Sequence, residues 1–143
     1  MSQVKIKTQR ISGSYHLRSS NALDLTVDTD ASPDIGGTNK GVRPMELLLM
    51  SLASCSAIDV LLILKRQRQS CEDIKISVKA DRVKVENHSE FSKIHLDFEL
   101  FGVIKEEKAR KAIDLSLDSY CSVAQILKKT AEISYDFSIR RNE

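Results

Sequence analysis

Three cysteines, Cys55, Cys71 and Cys121, are the residues of this chain best suited to chemistry of their own. As thiolates they could attack an electrophile or exchange with a disulfide. Cys55 lies in an apolar segment with Ser51 four residues before it and Asp59 four residues after. On a helix these three stack on one face, a short polar stripe in an otherwise apolar rod. Cys121 opens a short helical pattern (Val123, Ile126, Leu127), where free N–H groups and the helix dipole favour a thiolate. Cys71 sits in a polar connection beside Glu72 and Asp73, which disfavour one. Each thiol also has a plain reading as a small apolar residue of the core. The odd count and the polar, alternating N-terminus, with no export signal, argue against a structural disulfide framework. No Cys-x-x-Cys or Cys/His cluster occurs, so no zinc site is expected.

The segment that must position Cys55 is the longest apolar run, residues 44–68, too long and too continuous for a strand. It reads as a central helix buried nearly all round. Pro44 suits the first helical position, Glu46 the positive end of the dipole, and Lys65 and Arg66 the negative end. A membrane span is the alternative for residues 47–64, but Asp59 near its middle would be costly in lipid. The reading is therefore a core helix and no membrane partner.

Around it, residues 1–27 read as a strand meander with alternating Leu23, Leu25 and Val27. Residues 28–43 form a glycine-containing loop, either functional or a mobile surface loop. Residues 74–101 form a strand pair, with Ile94, Leu96, Phe98 and Leu100 as the cleanest alternation and His95 on the polar face. Residues 105–130 hold two helices, and 133–139 a closing strand. This order predicts one α+β domain over 1–143, with antiparallel sheets around the long helix. A helix apolar on every side needs more cover than one small sheet offers, so a homodimer with this helix near the interface is expected. The net charge of +2 is spread along the chain and gives no case for a nucleic-acid partner.

Two spaced segments carry a resemblance. Gly41-Val42-Arg43-Pro44-Met45-Glu46-Leu47-Leu48-Leu49, continuing to Ser54-Cys55-Ser56-Ala57-Ile58-Asp59-Val60, resembles the first cysteine region of the OsmC/Ohr family. Asp114-Leu115-Ser116 through Ser119-Tyr120-Cys121-Ser122-Val123 resembles its second. The Pro-Met-Glu opening, the Cys-Ser-Ala-Ile-Asp-Val run and Tyr-Cys-Ser-Val are most similar to the YhfA-like branch. The resemblance implies an OsmC-like fold, an intertwined cytoplasmic homodimer, and thiol-dependent reduction of organic hydroperoxides. Cys55 would be the peroxidatic residue and Cys121 the resolving one, reopened by an external dithiol reductant, with no metal or organic cofactor.

One departure bears on the activity. Peroxidase members follow the proline with a glutamate that cooperates with an arginine at the cysteine. Here Met45 holds that position and the acid is Glu46, nine residues before Cys55 and so on roughly the opposite side of a regular helix. Glu46 is thus either a displaced catalytic acid or a first-turn charge. Arg18 and Arg43 are the candidate arginines. The alternative function is a non-peroxidase protein of the same fold that binds a small apolar ligand or senses redox state.

Overall fold

The computed structural model describes residues 2–141. Met1, Asn142 and Glu143 of the expected 1–143 domain lie outside the described residues. The chain forms two compact units, Met1–Leu48 and Leu49–Glu143.

The first unit is a three-stranded antiparallel sheet, β1 (Lys7–Ser12), β2 (His16–Ser20) and β3 (Thr26–Thr29), in that order. The sequence alternation at Leu23 and Leu25 does not form strand. The Asn21 side-chain oxygen accepts the N–H groups of both residues at 3.0 Å, a local turn that competes with pairing. The loop after β3 is well organised. Asp30 accepts from the N–H groups of Ala31, Thr38 and Lys40 and from the Thr38 hydroxyl. Four donors converging on one carboxylate hold it down to about 2, the Thr38 hydroxyl leading. Val42 then bridges back to Thr29. Gly41 permits that approach, since a Cβ there would lie 2.6 Å from the Asp28 carbonyl carbon.

Helix α1 (Pro44–Arg66) starts and stops where the sequence places it, to within two residues. In the second unit it is followed by β4 (Ser70–Val85) and β5 (His88–Val103), a long antiparallel hairpin closed by Glu86 and Asn87. Helix α2 (Glu106–Leu115), a five-residue π-helical segment (Ser116–Tyr120) and α3 (Ser122–Leu127) then cross to β6 (Glu132–Arg140). The expected antiparallel pairing holds for β1–β2–β3 and for β4–β5, and β6 departs from it. β6 pairs with β5 in parallel, Lys93 to Glu132 through Phe101 to Arg140. The two helices supply the long crossover that parallel pairing requires.

The core of this unit is the inward row of β5 (Ile94, Leu96, Phe98, Leu100), buried with one row of α1 (Leu52, Val60, Leu64). A second correction concerns α1 itself. It is not buried all round: Met50, Ile58 and Leu62 are 46%, 65% and 44% exposed. Its length and mean hydropathy of 2.3 would suffice to cross a membrane. The apolar residues on that row have no cover within the unit, which is why composition alone read as full burial.

Candidate redox site

The N-terminus of α1 is fixed by Glu46, whose Oε1 accepts the Arg43 backbone N–H at 2.8 Å. This is half of a capping box, with the acid three residues into the helix and reaching back to the cap. The Arg43 guanidinium turns to Asn39 and the Gly41 carbonyl.

Two turns further along, α1 presents Cys55 and Asp59 to a residue from the crossover. Cys55 Sγ, an Asp59 carboxylate oxygen and Cys121 Sγ all lie within 4.8 Å of one another. Cys55 and Asp59 are half-buried and Cys121 is fully buried. The π-helical segment puts Cys121 there. Its N–H donates to the Ser116 carbonyl at 2.7 Å, a five-residue reach that widens the turn before α3 begins. Its sulfur then accepts the Ala124 N–H at 3.4 Å.

Ser116 ties the two halves together. Its Oγ lies 3.0 Å from Asp59 Oδ2 and 3.0 Å from Ser56 Oγ, with both serines fully buried. A carboxylate only accepts, so the single Ser116 proton goes to Asp59 and its lone pairs receive Ser56. The Asp59 carboxylate is thereby held beside the two sulfurs. Among the described residues, no basic side chain forms an ion pair with it.

Burial pushes the Cys121 thiol up to about 12, and the Cys55 hydrogen bond and the charges of Cys55 and Asp59 push the same way. The Ala124 N–H opposes them and is outweighed. The sequence expectation that a helix start favours a Cys121 thiolate is therefore reversed: desolvation exceeds the local dipole. Cys71 is also raised, with burial ahead of Asp73 and Glu72, and its thiol donates to the Asp73 carbonyl at 3.4 Å.

Of the four site residues expected from sequence, Cys55 and Cys121 come together in the second unit. Glu46 and Arg18 belong to the first, and each is engaged locally. Arg18 Nε and Nη2 grip Asp28 at 2.7 and 3.0 Å, and His16 Nε2 meets the same carboxylate at 2.8 Å. The Arg18 guanidinium, with His16, holds the Asp28 carboxyl far below its ordinary range. His95 is also tied down, between Ser134 Oγ at 2.7 Å and Asp136 Oδ2 at 3.1 Å. Sequence reasoning missed Ser56 and Ser116. Both lie inside the cysteine segments, and Ser56 stands one turn before Asp59.

The model of the family described as OsmC-like protein matches residues 37–136. Protein YhfA of Escherichia coli strain K12 is 36% identical over 102 residues, 71% of this chain and 75% of the relative. A hypothetical protein from Aquifex aeolicus VF5 superposes with a TM-score of 0.84 at 29% identity, covering all of both chains. An organic hydroperoxide resistance protein OsmC from Legionella pneumophila superposes at 0.74 with 14% identity, over 96% of this chain and 98% of its own, a likeness of fold alone. With the family match spanning more than half of the sequence, including both cysteine segments, this chain belongs to the OsmC-like proteins.

Proposed function

We propose that the protein is a cytoplasmic, homodimeric thiol peroxidase that reduces organic hydroperoxides through Cys55 and Cys121. The observation that carries this reading is the approach of the two sulfurs to within 4.8 Å across sixty-odd residues of sequence. A disulfide would bring the two sulfurs to about 2 Å, a further closure of less than about 3 Å. Burial keeps Cys121 as the thiol, which leaves the half-exposed Cys55 to meet the peroxide. The Cys55 thiolate attacks the O–O bond, leaving Cys55 sulfenic acid and, after protonation, the alcohol. Cys121 then attacks the sulfenic sulfur, its proton leaving with the hydroxide as water, and a disulfide forms. An external dithiol reopens it by exchange. The substrate class is that of structural neighbours known as organic hydroperoxide resistance proteins, whose likeness to this chain is one of fold.

A second reading rests on a specific observation. Met45 stands where peroxidase members carry a glutamate. Glu46 caps the helix and Arg18 is paired with Asp28, so both expected polar partners are occupied elsewhere. On this reading the thiol pair is a redox sensor, or the site binds a small apolar ligand, without rapid turnover. Peroxide loss measured with reduced protein, tert-butyl hydroperoxide and dithiothreitol separates the two. Turnover abolished by Cys55→Ser supports the enzyme. Stoichiometric disulfide formation without turnover supports the sensor, and wild-type rates no faster than Cys55→Ser refute thiol chemistry at this site.

A further inference from the structure

Two sulfurs and a carboxylate converging in a half-enclosed site make a donor set with a chemistry separate from peroxide reduction. We propose that Cys55, Asp59 and Cys121 form a site for a thiophilic divalent ion of the zinc class, with the fourth tetrahedral position left to water. The donor types fit. Zinc takes thiolate sulfur at about 2.3 Å and carboxylate oxygen at about 2.0–2.2 Å, and three protein ligands with one open position is a common arrangement. The spacing fits too. All three donor atoms lie within 4.8 Å of one another, and at the tetrahedral angle two zinc–sulfur bonds span about 3.8 Å. Closure of at most about 1 Å is required, less than a disulfide demands.

The surroundings complete the case. Metal-ligating carboxylates are held by hydrogen bonds from a further layer of residues, and Ser116, steadied by Ser56, holds Asp59 in that way at 3.0 Å. Among the described residues, no lysine, arginine or histidine pairs with Asp59, so the site lacks a fixed cation to balance it. Metal entry displaces the thiol protons to solvent, two per ion when both cysteines start protonated. With both sulfurs ligated, Cys55 is no longer a free nucleophile, so the ion would cap the redox pair. Sequence spacing could not reveal the set, because its members come from one helix and a crossover far along the chain.

The proposal is independent of turnover, and the test reads the metal directly. Reduced, chelator-stripped protein is titrated anaerobically with Co(II) and Cd(II), following thiolate-to-metal charge-transfer absorption. We expect one equivalent bound, with zinc displacing cobalt. Cys55→Ser and Cys121→Ser should each weaken binding at least 100-fold, and Ser116→Ala about 10-fold. Asp59→Asn should weaken it while leaving the charge-transfer band obtained at saturation. His95→Ala and Cys71→Ser serve as controls, since His95, Asp97 and Asp136 form a second, exposed donor cluster without sulfur. Both controls should bind as wild type. No charge-transfer band, or a band that survives in Cys55→Ser but vanishes in Cys71→Ser, overturns the proposal. Circular dichroism on every variant separates lost binding from lost fold. With turnover measured on the chelator-stripped protein, turnover without metal binding refutes this inference alone, and metal binding by a protein that shows no metal-free turnover refutes only the peroxidase reading.

Discussion

The outer row of α1 gives the most quantitative prediction. Every buried apolar residue among the described residues lies at position 52 or beyond, while Met50, Ile58 and Leu62 on α1 face outward. The first unit likewise leaves Ile6, Leu25 and Val27 exposed. In the proposed homodimer this surface would meet a second copy, and Ile58, 65% exposed, is its most prominent point on the helix. Full burial of an isoleucine side chain contributes about 1.5–3 kcal/mol, so the two-thirds still exposed is worth about 1–2 kcal/mol. A two-fold interface contains each residue twice, which makes about 2–4 kcal/mol per dimer. Ile58→Ala should therefore raise the dimer Kd by about 30- to 1000-fold, and Ile58→Glu by more because a carboxylate would be desolvated. Because Ile58 contributes little to the core of its own chain, helical content in circular dichroism should stay unchanged. Sedimentation equilibrium over a range of concentrations measures the shift. A wild-type monomer at micromolar concentration, or an Ile58→Ala dimer within threefold of wild type, would refute the reasoning.

Ser116→Ala should destabilise the protein by about 1.5–3 kcal/mol at fixed protein concentration, since it removes a buried hydrogen bond to a charged acceptor; a change below 0.5 kcal/mol in urea unfolding, a value well under the range just given, would show that the bond is unimportant. Phe98→Ala, in the centre of β5 and 1% exposed, should cost about 3–5 kcal/mol in the same measurement. The folded carboxyls of Asp28 and Asp30 lie below the ordinary value of 3.8, so the unfolded chain binds more protons in that interval. Stability therefore rises with pH there. It should fall as pH drops from about 4 towards 2 for Asp30 and lower still for Asp28, and Asp30→Asn should flatten that part of the profile.

Local signals were legible where the chain decides locally. Pro44, Glu46, Lys65 and Arg66 mark the ends of α1, and the alternation of Ile94 through Leu100 becomes the buried row of β5. Signals failed where a neighbour decides. Leu23 and Leu25 alternate like a strand, but the Asn21 side chain captures their N–H groups. The direction of β6 depends on pairing with a strand some forty residues earlier, which alternation does not encode. The apolar circumference of α1 is real and was readable, and what was illegible is which row, that of Met50, Ile58 and Leu62, stays exposed. Cys55 and Cys121 were readable through their segments, and their mutual approach was not. Ser116 looked like any polar helix residue, and only the fold shows it buried against Asp59.

The parallel strand has a temporal consequence. The β4–β5 hairpin closes through two residues, so it can zip within microseconds of meeting itself. β6 must wait for residues 104–131 to traverse the unit before it finds β5, a long-range closure with an entropic toll met late in folding. Cys121 rides on that traverse, so we expect Cys55 to acquire its partner late. In a refolding time course, protection of Cys121 from alkylation should lag the rise of helical signal. Until that moment the thiols are strangers, each open to over-oxidation or to pairing with Cys71.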